Sequence, residues 1–281
     1  MSKIHPWAYV NGRIVKSDEQ AISLYDRGFL YGEGLFETIR VKRGKCLRLP
    51  LHLNRLNQGS KVLNITIPSL DKLETAIQSV IDANNLCEAR LRVTITPGEH
   101  STAGINTSSS GSPTLVVTAY QLPDLEPSPL RVITSSLFRR DERSPLSSVK
   151  SLNYLPSILA LREARSAGAD DAIMLNTKGN IAEGTTGNLF LRFGRILVTP
   201  SRDQGLVPGT VRATLIEIAP QMGMDLEERQ VTKDDILRAE ELFFTNAIQL
   251  MRPIKEVDGI NVPMVKSPLF DHIRQVLEEL E

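Results

Sequence analysis

Gln121-Leu122-Pro123-Asp124-Leu125-Glu126-Pro127-Ser128-Pro129 holds three prolines in nine residues. Each proline fixes φ and removes a backbone donor, so the stretch is stiff and ill suited to ladder pairing. It predicts a linker over 121–129 between an N-terminal α/β lobe, 1–120, and a larger C-terminal lobe, 130–281. Upstream, Tyr9 to Val15 sets Asn11-Gly12 between β-prone runs, a strong hairpin signal. Leu35 to Lys42 and Lys45 to Leu49, turned by Arg43-Gly44, read as a second hairpin. Helical spacing follows over Leu51 to Leu63 and from Ser69 to about Asn84, then strands over Ala89 to Thr96 and Thr114 to Tyr120. The Ser/Thr/Gly-rich stretch 99–113 between them reads as a mobile loop.

Downstream of the linker, strands are expected at Leu130 to Ser135, Ala172 to Leu175, Leu189 to Phe193, Ile196 to Thr199 and Glu241 into Ala247. Helices are expected over Tyr154 to Ala167, Thr210 to Met222, Lys233 to Ala239 and from Pro268. This is an α+β pattern with no 20- to 50-residue repeat, which excludes solenoids and propellers.

The 281 residues carry 33 Lys plus Arg against 33 Asp plus Glu, a net charge of zero without like-charge blocks. That argues against a nucleic-acid or membrane-surface partner. The two cysteines, Cys46 and Cys87, lack CxxC or Cys/His spacing, so neither disulfide framework nor metal site is indicated, and reduced, buried thiols are expected. Met1 to Tyr9 has no apolar core of signal length, and no run of about 18 apolar residues occurs. A soluble cytoplasmic protein is the expectation.

Four segments carry candidate chemistry. Lys150, in Ser147-Ser-Val-Lys150-Ser-Leu-Asn153-Tyr154-Leu-Pro156, precedes a helix for which Asn153 is a plausible N-cap. A lysine there is disfavoured by the helix dipole, which suits an amine that must be neutral to attack an aldehyde; the plainer reading is a solvated loop lysine. Glu183, in Asn180-Ile-Ala-Glu183-Gly184-Thr-Thr-Gly187-Asn188, occupies a small-residue turn, either facing inward to pair with a cation or lying on the surface. Gly205-Leu-Val-Pro208-Gly209-Thr210-Val211-Arg212 is a glycine turn feeding a helix, a ready anion site that many helices share without binding anything. His52 and Arg55 stand three apart on a helix, where Arg55 serves equally for a surface ion pair or a phosphate.

Taken in order, these segments resemble the class IV aminotransferases, the fold-type IV pyridoxal-phosphate enzymes, over nearly the whole chain. Leu24 to Arg40, with Asp26-Arg27-Gly28 and Phe36-Glu37-Thr38-Ile39-Arg40, looks like the family's N-terminal signature. His52-Leu-Asn-Arg55-Leu56 is similar to its phosphate-gripping segment and Lys150-Ser-Leu-Asn153 to its Schiff-base segment. Ala182-Glu183-Gly184 through Phe190 resembles the pyridine-nitrogen segment, and Pro208 to Arg212 the phosphate turn. The resemblance implies a two-domain fold with a barrel-like sheet in the larger lobe, pyridoxal 5′-phosphate as cofactor, a small amino-group substrate and a homodimer. It implies that Lys150 forms the Schiff base and then moves protons. Glu183 would neutralise the ring nitrogen, and Arg55 with the N–H groups of Thr210 and Val211 would hold the phosphate. Thr186, Gly187, Asn188, Asn246 and Ala247 would line the cofactor, with Tyr154 a neighbour of its phenolic oxygen.

Within the family, Thr38 stands where branched-chain aminotransferases usually have glycine and where 4-amino-4-deoxychorismate lyases place a catalytic threonine. Thr245-Asn246-Ala247 leading to Met251-Arg252-Pro253 is similar to the lyases' segment. D-amino-acid aminotransferases offer an arginine and a histidine after Val-Thr, and here His100 falls where the arginine should be. The expectation is a lyase releasing pyruvate to give 4-aminobenzoate. The alternatives are a transaminase of branched-chain L- or D-amino acids with 2-oxoglutarate, and a cofactor-binding scaffold without turnover.

Overall fold

A computed structural model describes residues 3–100, 104–105, 112–123, 125, 128–263 and 267–280. The expected loop 99–113 and linker 121–129 lie partly outside the described residues. The chain forms two units: Met1–Leu125 with Val149–Asn153, and Glu126–Ser148 with Tyr154–Glu281. The lysine segment, expected in the second lobe, therefore belongs to the first.

In the first unit β1 (Trp7–Val10) and β2 (Arg13–Lys16) form the expected hairpin. Asn11 at φ 46° and Gly12 at φ 95° both take the left-handed region that a two-residue turn of this hand demands. α1 (Arg27–Tyr31) precedes β3 (Leu35–Lys42); β4 is only Lys45–Cys46, because α2 (Leu49–Leu63) begins at the residue before Pro50. α3 (Leu70–Ala83), β5 (Ala89–Thr96) and β6 (Thr114–Tyr120) complete an antiparallel sheet in the order β2-β1-β6-β5-β3-β4.

α3 buries Leu73, Ala76, Ile77, Val80 and Ile81, a stripe at helical spacing. It packs with α2 on one face of the sheet, where β3 contributes Leu35, Ile39 and Val41 and β5 contributes Leu91, Val93 and Ile95. Alternation puts Glu37 on that same apolar face. Phe36, Thr38 and Arg40 look the other way.

The second unit contains β7 (Leu130–Arg140), α4 (Leu155–Ser166), β8 (Asp171–Asn176), β9 (Ile181–Gly184), β10 (Asn188–Phe193), β11 (Ile196–Pro200), α5 (Thr210–Ile218), β12 (Asp225–Arg229), α6 (Lys233–Arg238), β13 (Glu241–Asn246), β14 (Leu250–Val257), β15 (Ile260–Asn261) and α7 (Pro268–Glu279). Its mixed sheet runs β12-β11-β10-β13-β14-β7-β8-β9, with β15 paired to β14. The two ends curl towards each other: β9 comes back against β10 and β11, and the Ile181 N–H donates to the Val231 carbonyl. This is the expected barrel-like sheet. α5 and α7 cover one side, where Phe190 stacks on Phe243 at 5.5 Å and Phe270 meets Phe243 edge-on.

Several local expectations need correction. Glu183 lies in β9, a strand too short and too small-sided to show alternation. β12 is Asp-Leu-Glu-Glu-Arg, a charged run tolerated because it pairs only with β11 at the sheet edge. β14 was hidden by Pro253. The proline faces Phe243 of β13, while pairing to β7 begins at Ile254, so no second partner needs the missing donor. α4 takes Tyr154 rather than Asn153 as N-cap, and α5 stops at Ile218 before Pro220. Cys46 and Cys87 are free, but neither is fully buried as expected: Cys46 is half-buried and Cys87 is exposed in the turn after α3. Burial pushes the Cys46 thiol up to about 12. Among the described residues no helix is long and apolar enough to cross a membrane.

Candidate active site

Lys150 owes its position to backbone pairing rather than to a helix end. The Phe36 N–H donates to the Lys150 carbonyl at 3.1 Å, Leu152 N–H to Gly34 at 2.9 Å, and Ser151 bridges Leu35. The strip thus runs along the edge of β3. Gly34 permits this approach: a Cβ there would lie 2.6 Å from the Ile95 carbonyl and 2.7 Å from Leu152. Lys150 Nζ sits 4.2 Å from the centre of the Phe36 ring, and Arg92 Cζ 3.9 Å from it. Two cations therefore meet one aromatic ring on the face that also carries Thr38, and Thr38 pairs in register with Arg92.

On the opposite face of β3, Glu37 Oε1 accepts from Arg55 Nε at 2.8 Å. Its Oε2 accepts from Arg55 Nη2 at 2.5 Å and lies 2.6 Å from His52 Nδ1. Burial pushes the Glu37 carboxyl up, but the Arg55 guanidinium, aided by His52, outweighs it and brings the value down to about 2. Burial lowers the His52 pKa, the Glu37 contact opposes this, and the charges of Arg55 and Lys150 lower it further. With Glu37 ionised and able only to accept, the His52 Nδ1–H is the donor. The sequence placed His52 and Arg55 together; it did not supply Glu37, whose signal is a carboxylate in an otherwise apolar alternating row.

The low Glu37 pKa stabilises the fold fully above its usual value of 4.5, and that contribution is lost as pH falls through about 2. Melting curves across this window are expected to show wild type losing more stability than Glu37→Gln. Equal losses would mean the carboxylate is not held ionised.

In the second unit, Glu183 is buried in β9; its Oε2 accepts from the Val207 N–H at 3.1 Å, and Oε1 lies 3.2 Å from Arg140 Nη2. Arg140 also donates through Nε to the Gly205 carbonyl at 2.8 Å. Asn188 Nδ2 donates to the Val207 carbonyl at 2.9 Å, so Glu183, Arg140 and Asn188 together grip the turn 205–209. Arg140 escaped the sequence reading because β7 was expected to end at Ser135.

That turn ends in Gly209, the N-cap of α5, which has no side-chain cap. A Cβ on Gly209 would lie 2.1 Å from Asn188 Oδ1. The helix thus starts on the backbone of Thr210 and Val211, both buried. Asn188 pairs with Thr245 across β10 and β13, and Gly187 approaches the Thr245 carbonyl too closely to bear a side chain. Asn246 Oδ1 accepts from the N–H groups of Ile248 and Gln249, closing the turn that holds Ala247. Thr186 is exposed and Tyr154 half-buried.

The structure therefore gathers Lys150, Arg55 and Thr38 around β3, and Glu183, Gly187, Asn188, Thr210, Val211, Asn246 and Ala247 around the 205–209 turn and the ends of β10 and β13. An amine and an arginine in the first unit, and a buried carboxylate and a helix start in the second, are each of the chemistry that suits a phosphorylated pyridine aldehyde. The residues fit that group.

Comparison with known proteins agrees. The family model described as amino-transferase class IV matches residues 34–257. A putative branched-chain-amino-acid aminotransferase of Methanocaldococcus jannaschii is 35% identical over 253 residues, covering 89% of this chain and 88% of that protein. Aminodeoxychorismate lyase of Bacillus subtilis is 32% identical over 262 residues, covering 90% and 87%. The crystal structure of the Escherichia coli branched-chain amino acid aminotransferase superposes with a TM-score of 0.92 at 26% identity, covering 98% of this chain and 94% of that one.

Proposed function

The chain belongs to the class IV aminotransferases, which are pyridoxal-phosphate enzymes, and from that premise we propose that it is a 4-amino-4-deoxychorismate lyase, releasing pyruvate to leave 4-aminobenzoate. The observation that carries this reading is a hydroxyl, Thr38, two residues along β3 from Phe36, over whose ring the Lys150 Nζ lies. A proton donor thus shares a strand face with the reactive amine. Asn246-Ala247 at the end of β13 supports it.

When bound, pyridoxal phosphate supplies an electron sink for the carbon that bears the substrate's amino group. Lys150 would hold the cofactor through its amine, and that amine, once released, would remove the proton from that carbon. As the bond between the ring and the enolpyruvyl oxygen breaks, the proton taken by Lys150 passes to the departing group, a transfer that the Thr38 hydroxyl assists. Glu183 keeps the pyridine nitrogen protonated, a role for which its burial and its contacts with Arg140 and Val207 hold it ready. Arg55, Thr210 and Val211 hold the phosphate; Thr186, Gly187, Asn188, Asn246, Ala247 and Tyr154 line the cofactor. The protein works in the cytoplasm as a homodimer on a small amino-group substrate.

A transaminase of branched-chain L- or D-amino acids with 2-oxoglutarate is the second reading, favoured by the M. jannaschii relative. Offering the purified protein 4-amino-4-deoxychorismate, branched-chain L-amino acids and D-alanine side by side separates them: 4-aminobenzoate is expected from the first, and keto acids alone would reject the lyase.

Glu183→Gln tests the pyridine partner. A neutral amide cannot hold the ring nitrogen protonated, so the variant is expected to keep its cofactor and slow by about 10²-fold or more, of the order of a lost acid or base. Wild-type rates would reduce Glu183 to a support for the 205–209 turn.

A further inference from the structure

Glu37 breaks the pattern of its own strand. Leu35, Ile39 and Val41 on the same face are buried and apolar, and Glu37 is as buried as they are, at 1% exposure. Stability alone does not explain it, because a buried ion pair is often no more stabilising than apolar side chains of the same volume. What the carboxylate adds is direction. It takes Arg55 through Nε and Nη2 at once, a bidentate contact that sets the plane of the guanidinium and therefore the heading of its remaining N–H bonds. His52 holds the carboxylate from a third side.

We propose that Glu37 is a positioning residue that acts through Arg55, fixing the guanidinium in the orientation that grips the cofactor phosphate, with His52 fixing Glu37 in turn. This rests on the phosphate role given to Arg55 above. It also makes an expectation opposite in sign to charge alone. Removing the carboxylate takes a negative charge away from Arg55, which by Coulomb attraction alone would tighten phosphate binding. If orientation governs, binding loosens instead.

The experiment strips full-length protein of cofactor and titrates it, by absorbance, with pyridoxal 5′-phosphate and with pyridoxal, which lacks the phosphate. Wild type is expected to prefer the phosphorylated form strongly. Glu37→Gln and Arg55→Ala should each reduce that preference by about tenfold or more, the scale of a charge-assisted contact. The double variant should be no worse than Arg55→Ala, because one function is lost once. Unchanged or increased preference in Glu37→Gln, equal weakening towards both ligands, or additive losses in the double variant would each overturn the positioning role. Unchanged preference in Arg55→Ala would instead remove the phosphate assignment itself. Should Glu37→Gln not accumulate folded, Arg55→Lys keeps the charge and loses the fork: it is expected to lose preference as Arg55→Ala does, and retained preference would overturn the proposal.

Discussion

Lys150→Ala is expected to abolish the absorption band of lysine-bound cofactor and turnover together. The amine does two jobs in the proposed reaction, carrying the aldehyde and removing the substrate proton. Arg92, the other cation on the Phe36 ring, stays protonated and cannot serve as a nucleophile. Loss of a general acid or base alone costs roughly 10²–10⁴-fold, and loss of the covalent step adds to it. Folding should survive, because Lys150 joins β3 through its backbone and alanine keeps the carbonyl that accepts from Phe36. Borohydride reduction of wild type followed by peptide mapping provides the positive control. Label on another lysine, or a variant that keeps its band, would sink the assignment.

Thr38→Ala should lower 4-aminobenzoate formation by about 10²-fold or more, if its hydroxyl assists proton transfer to the departing group. The same variant should load cofactor normally. Thr38 lies on the opposite face of β3 from the Glu37–Arg55 pair, so removing its hydroxyl leaves the proposed phosphate contact untouched. A transaminase would respond differently: Thr38 would only shape the pocket, and its loss would shift amino-acid preference with modest effect on the best rate. Unaltered 4-aminobenzoate production in the variant would remove Thr38 from the chemistry.

Much of the fold could be read from local chemistry. Asn11-Gly12 announced the first hairpin, helical spacing announced α3, and β5 and β6 were bounded as found, because a half-buried antiparallel strand writes its alternation into the sequence. Among the strands that escaped, two have neighbours that compensate for an unsuitable residue, Pro253 in β14 and the charges of β12, and β9 is too short to show alternation. At the site, the candidate residues could be named because their segments follow a familiar order. The groups that hold them could not. Glu37 meets His52 and Arg55 across two different elements, and Arg140 reaches Glu183 from the far end of β7. Spacing along one helix or strand carries no trace of such contacts.

The departure of Val149–Asn153 from its sequence neighbours to join the first unit bears on how the protein is made. On a ribosome the chain to Leu125 emerges carrying most of that sheet, yet the Phe36 N–H has no carbonyl to receive it until Lys150 has been translated. The edge of β3 stays open through that interval, the condition under which strands pair with the wrong partner. The peptide that brings in Lys150, the proposed reactive amine, is also the one that seals this edge, so the nascent sheet gains that residue and its protection against misassembly in the same act.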